Sequence, residues 1–145
     1  MKTLVISIAL VAASFNASAQ TVAPVKNDAL YQALGGTAGL KSLMDVFVAG
    51  LKADARIGDQ FKDTKSSYLS EQLTNQVCVL SGGPCTYDGE TMKNAHAGLK
   101  INKGHFNALV EVLQVSMDAR NIPFSTQNQL LALLAPMHRD VITVK

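Results

Sequence analysis

Between residues 37 and 51 stand Leu40, Leu43, Met44, Phe47, Val48 and Leu51. Steps of three and four return one face at every turn and predict an amphipathic helix, with Thr37 placed to cap it. The same period recurs along the chain. Asp28 caps a short helix to Leu34, closed by Gly35-Gly36, and residues 54–61 read as a short helical turn. Ser66 or Ser67 opens a helix with Leu69, Leu73, Val77 and Leu80 on one face, stopped by Gly82-Gly83-Pro84. Residues 85–89 form a turn and 90–97 a short helix ended by Gly98. Asn102 caps a long helix to about Arg120, and Ser125 opens a last one through Val141 with Pro136 as its kink. No stretch alternates with period two, so the expected class is all-α, with about five substantial helices.

One position breaks the pattern. In "INKGHFNALVEVLQVSM", residues 101–117, His105 stands where the apolar stripe of Leu109, Val112 and Leu113 begins. From the helix alone a histidine there is either a satisfied core residue or a ligand.

The two ends narrow the domain. Lys2 followed by the apolar stretch 4–13 and Ala17-Ser18-Ala19 reads as a signal peptide over 1–19. The apolar run falls short of the roughly 20 residues a spanning helix needs, and no cysteine follows it to carry a lipid. Residues 20–27 read as a flexible leader, and 28–145 as one domain. Removing Lys2 from 13 bases leaves 12 against 11 acids, a net charge of +1. That balance argues against nucleic acid and against a membrane surface after signal cleavage. Two cysteines, Cys78 and Cys85 with six residues between them, in a chain read as exported to the periplasm or beyond, point to a disulfide. Their spacing fits neither a thioredoxin-like pair nor a c-type haem attachment. No catalytic carboxylate pair, nucleophile with a base or phosphate-binding loop appears.

Four stretches in order, "LYQALGG" at 30–36, "FVAGLKADARIGDQF" at 47–61, "SGGPCTYDGETMKNAHAGL" at 81–99 and "HFNALVEVL" at 105–113, resemble a group I truncated haemoglobin. The likeness covers about residues 28–143. It implies a shortened globin, a two-on-two helical sandwich around one non-covalent haem b, with His105 as the proximal iron ligand. Phe61 corresponds to the aromatic wedged against the porphyrin. Phe47, Leu51, Leu109 and Leu113 line or back the haem, although each would be core in any helical protein. His96 matches a histidine of the turn before the proximal helix, with a propionate contact and a solvent-facing or capping role both open. His138, in "PMHRDV", is one residue off the place where some relatives attach haem covalently.

The distal side departs from the family pattern. Many members carry Phe-Tyr where this chain has Phe47-Val48, so the tyrosine hydroxyl is missing. Glutamines often found at the positions of Leu69 and Leu73 are also absent. Gln72 remains as a donor or as a solvent-facing amide, with Tyr68 as a second donor. A pocket lined by Val48, Leu69 and Leu73 is mainly apolar and costs bound oxygen about 1–3 kcal/mol of hydrogen-bond stabilisation. The expected partners are diatomic gases (oxygen, nitric oxide, carbon monoxide) and an electron donor the chain does not identify, in a monomer or weak oligomer. Nitric oxide dioxygenase-type turnover is left open. The alternatives are a haem-based electron-transfer or gas-sensing module and a haem-free helical interaction module.

Overall fold

In the computed structural model, residues 27–144 are described. The expected signal peptide and most of the leader lie outside them. The described residues contain no strand. They form α1 (Ala29–Ala33), α2 (Gly36–Ala53), a 3-10 turn (Gly58–Phe61), α3 (Ser66–Leu80), α4 (Met92–Ala95), α5 (Lys103–Ala119), α6 (Phe124–Leu134), a second 3-10 turn (Ala135–Met137) and α7 (His138–Val141). Four helices exceed ten residues, one fewer than the period suggests. Pro136, which cannot donate to a helical bond, breaks the last helix into a 3-10 turn and a single turn of α7. No helix among the described residues is long and apolar enough to cross a membrane.

α2 is the central element and packs on both α3 and α5. The six stripe positions Leu40, Leu43, Met44, Phe47, Val48 and Leu51 are all buried, and Val46, off the stripe, is exposed. Gly50 permits the close approach to α5, because a Cβ there would lie 2.8 Å from Val112 Cγ1. Against α2, α3 presents small and polar groups. Ser70, Thr74, Val77 and Cys78 are buried, and the Ser70 hydroxyl donates to Asp45 of α2. The predicted apolar stripe of α3 is only half-buried at Leu69, Leu73 and Leu80. Leu69 and Leu73 face a cavity instead.

Two predicted caps fail. α2 begins at Gly36, behind Gly35 in the left-handed region at φ 86°. Thr37 instead shares a 2.8 Å hydrogen bond between its hydroxyl and that of buried Tyr31. Asp28 caps no backbone amide, since its carboxylate accepts from Gln32 Nε2. The tight turn at 35–36 does the work expected of Thr37, and glycine takes positive φ at no steric cost.

Cys78 and Cys85 are joined, and Gly83, whose Cβ would lie 2.5 Å from Cys78 Sγ and 2.6 Å from the Tyr31 ring, lets the chain pass beneath the bridge. On the opposite side Arg56 hydrogen-bonds Asp54 and reaches Glu111 of α5. These bonds hold the Asp54 carboxyl at about 2, down from 3.8. A lowered folded value means that this contribution is complete above the ordinary carboxylate range and is lost as pH falls through the folded one. Arg56 and Glu111 are solvent-exposed, so the effect is small and weakens with salt. The stability difference between wild type and Arg56→Met is expected to be present at neutral pH, shrink below about pH 4 and vanish near about pH 2, as read by chemical denaturation across that range.

Candidate functional site

A cavity of about 770 Å³ opens between α2, α3, α4, α5 and the segment from α6 to α7. α2 contributes Phe47 and Leu51, and the first 3-10 turn contributes Phe61. Leu69, Gln72 and Leu73 come from successive turns of α3, with Tyr68 at the same edge. α5 supplies His105, Leu109 and Leu113, and His96 reaches the wall from the end of α4. The sequence thus places ten of its eleven candidate pocket residues on one surface. The exception is Val48. It is 1% exposed and packed within the buried face of α2, and it does not line the cavity. Met44 and Phe47 present the apolar surface of α2 instead.

Local structure fixes His105 at two points. Asn102 is the N-cap of α5, and its Oδ1 accepts from the His105 amide at 2.9 Å. The imidazole returns the contact, with Nδ1 accepting from the Asn102 amide at 3.4 Å. Histidine here fills the place that Glu or Gln normally holds in a capping box. The segment just before α5 is tied to the chain's other end, with Ile101 O accepting from the amides of Thr143 and Val144 and Ile101 N donating to Thr143 Oγ1. The cap and this clamp leave the start of α5 little freedom.

His96 is held differently. Its Nδ1 lies 2.7 Å from the Met92 carbonyl. A carbonyl only accepts, so Nδ1 carries a proton, and in the neutral ring the lone pair is on Nε2. His96 also closes the C-terminus of α4, so the capping role considered from sequence is real and coexists with a place on the wall.

Several wall residues were not foreseen. Tyr87 lies on the cavity and donates its hydroxyl to Glu90 O at 2.7 Å. Burial, followed by the nearby Tyr68, Glu90 and Asp88, pushes its phenol up. Gln76 is 9% exposed and directs Nε2 to Met92 Sδ at 3.3 Å and Met137 Sδ at 3.9 Å, drawing α3, α4 and the second 3-10 turn together. Gln72 Oε1 is buried with no hydrogen-bond partner among the described residues. It rests against the loop, since a Cβ on Gly89 would lie 2.5 Å from it and 2.6 Å from the Tyr87 hydroxyl. Tyr87 and Gly89 fall in the motif that carries the resemblance. Gln76 and Met137 carry no sequence signal, because they meet across a sequence separation of 61 residues.

The chemistry available is limited. Among the described residues no group of three or more His, Cys, Asp or Glu could hold a metal ion. Glu111, the acid on the wall, is paired with Arg56. The wall therefore offers apolar surface, two imidazoles and a few amides and phenols. This suits a large flat apolar guest rather than a hydrated ion.

A family model described as bacterial-like globin matches residues 29–143. A group 1 truncated hemoglobin of Synechocystis sp. is 33% identical over 122 residues, 78% of this chain and 96% of that one. The one from Tetrahymena pyriformis is 27% identical over 117 residues, covering 81% and 97%. The crystal structure of the Tetrahymena pyriformis protein in its Fe(III) form superposes with a TM-score of 0.74 at 28% identity, covering 80% of this chain and 98% of that one. The 2/2 hemoglobin of Synechococcus sp., solved in the cyanomet state with covalently attached heme, shares the fold at a TM-score of 0.73 and 23% identity, covering 78% and 97%. The all-α fold of the described residues, the cavity between its helices and the family match agree: the chain belongs to the bacterial-like globins, as a group 1 truncated haemoglobin of two-on-two fold.

Proposed function

We propose that this cavity holds one haem b without a covalent link, that His105 is its proximal ligand, and that the protein binds diatomic gases reversibly after export. The observation that carries the reading is the cavity itself, with an imidazole at the start of a rigid 17-residue helix opening onto a mainly apolar wall. Bound there, haem would supply an iron able to take a diatomic gas, with His105 as the residue that would hold it. The residues do the rest. α5 and the clamp at Ile101 hold His105 in place, Phe61 and Phe47 offer flat apolar surface, and Leu69 and Leu73 exclude water without offering a proton.

The donors at the α3 edge are few. Tyr87 has committed its proton to Glu90 O, and Gln76 directs its amide to sulfur. Gln72 has its carbonyl turned into the loop, which leaves its Nε2 and the exposed Tyr68 hydroxyl as the donors at this edge. A gas that gathers negative charge, as oxygen does, loses about 1–3 kcal/mol without a donor, whereas carbon monoxide loses little. Reversible exchange is therefore favoured over oxygen storage, and oxygen-dependent oxidation of nitric oxide is limited by how long oxygen stays. The disulfide accords with an oxidising compartment, where a separate electron donor must keep the iron reduced.

Flash photolysis and stopped-flow mixing of the ferrous protein with carbon monoxide and oxygen test this reading. A lasting carbon monoxide complex and rapid oxygen release are expected, and an oxygen complex that dissociates slowly would overturn the apolar-site account. The absence of a covalent link is checked separately. His138 is exposed, lies off the cavity wall and places Nδ1 3.0 Å from Ala135 O. Acid–acetone treatment should therefore strip all colour from the chain and leave its mass unmodified.

A further inference from the structure

We infer that Asn102 is the positioning residue for His105, with its side-chain oxygen as the partner that Nδ1 takes when the imidazole ligates iron through Nε2. The inference rests on His105 being the ligand. In the structure His105 Nδ1 accepts from the Asn102 amide. An imidazole accepting at Nδ1 keeps its proton on Nε2, the nitrogen that faces away from the backbone. Metal ligation through Nε2 requires the opposite arrangement, with the lone pair on Nε2 and the proton on Nδ1. Two N–H groups cannot face each other, so the contact to the Asn102 amide must be given up.

The same residue holds the replacement. Asn102 Oδ1 already accepts from the His105 amide at 2.9 Å and, as an amide carbonyl, has a second lone pair. A small rotation of the imidazole exchanges the Asn102 N–H for Asn102 Oδ1 as the partner of Nδ1, and the proton moves from Nε2 to Nδ1. Among the common caps only asparagine and aspartate offer an oxygen of this reach. Serine and threonine offer a shorter hydroxyl, and alanine offers nothing. His96 shows the contrast within the same cavity, because a carbonyl that can only accept fixes its Nδ1 proton.

The test compares wild type with Asn102→Ala, Asn102→Asp and His105→Ala in two measurements. The first is the iron–histidine stretching band of the ferrous haem protein by resonance Raman. The second is the thermal midpoint of the haem-free chain. Asn102→Ala should lower the band and speed haem loss by about 10-fold, the usual scale for removing a ligand's hydrogen-bond partner. Asn102→Asp, an equally good cap, should raise the band, because a carboxylate draws more strongly on the Nδ1 proton, and should leave the haem-free midpoint unchanged. If Asn102 is only a cap, Asn102→Ala lowers the midpoint while the band stays put in both variants, and the inference fails. A band that survives His105→Ala overturns the ligand assignment and this inference with it, whereas a band lost in His105→Ala but unmoved at Asn102 overturns this inference alone.

Discussion

Introducing the amides this chain lacks, as Leu69→Gln together with Leu73→Gln, is expected to slow oxygen release by about 5- to 150-fold, the equivalent of 1–3 kcal/mol for a hydrogen bond gained by a charged acceptor. Both leucines lie on the cavity wall one turn apart on α3. Both are only half-buried, so a glutamine of similar length fits without displacing the α2 contact, which runs through Ser70 and Thr74 on the other side. Carbon monoxide release should change little, because that ligand draws weakly on a donor. The two rates measured on one preparation separate a new hydrogen bond from a general loosening, which would shift both. If oxygen release is unaltered while haem is fully bound, the gas does not sit beside α3 and the distal assignment is wrong.

The second large effect concerns the disulfide. Cys78→Ala with Cys85→Ala, or reduction by a dithiol, should cost about 2–3 kcal/mol, the chain entropy of a closed loop of this length. For a domain of this size that corresponds to a fall of about 10 °C in the midpoint. Cys78 is fully buried at the end of α3, and Cys85 lies two residues before Tyr87, so the bridge fastens the loop that forms one wall of the cavity. Haem transfer to an acceptor globin should accelerate along with the loss of stability. An unchanged midpoint in dithiol, with the thiols shown to be free by alkylation, would mean that packing of Tyr31 and Gly83 alone holds this corner.

Much of the architecture was legible in the residues. The period of α2 identified every side chain it buries, and Asn102, Pro136 and the double glycine at 82–83 marked real boundaries. What failed has physical causes. Thr37 looks like a cap by type, but a left-handed Gly35 already turns the chain, and the hydroxyl has a better partner in Tyr31. The stripe of Leu69 and Leu73 reads as core because hydropathy reports apolarity, not what stands opposite. Here a cavity stands opposite, and the tightly packed face is the polar-looking Ser70 and Thr74. Val48 was placed on the cavity because it stands where the resembling family carries its distal tyrosine, yet the short side chain stays within the α2 packing. The reciprocal contact of His105 with Asn102, and the meeting of Gln76 with two methionines, depend on side-chain directions and distant chain that no local pattern encodes.

Two imidazoles reach the cavity, and His96 already holds the tautomer that leaves Nε2 free. The central claim is that His105 is nevertheless the ligand. The visible spectrum of the ferrous protein, with and without carbon monoxide, measured for wild type, His105→Ala and His96→Ala, tests it most directly. A five-coordinate ferrous spectrum that persists in His96→Ala and is lost in His105→Ala is the result this account predicts. Its loss in His96→Ala and persistence in His105→Ala would contradict it and move the ligand to the end of α4.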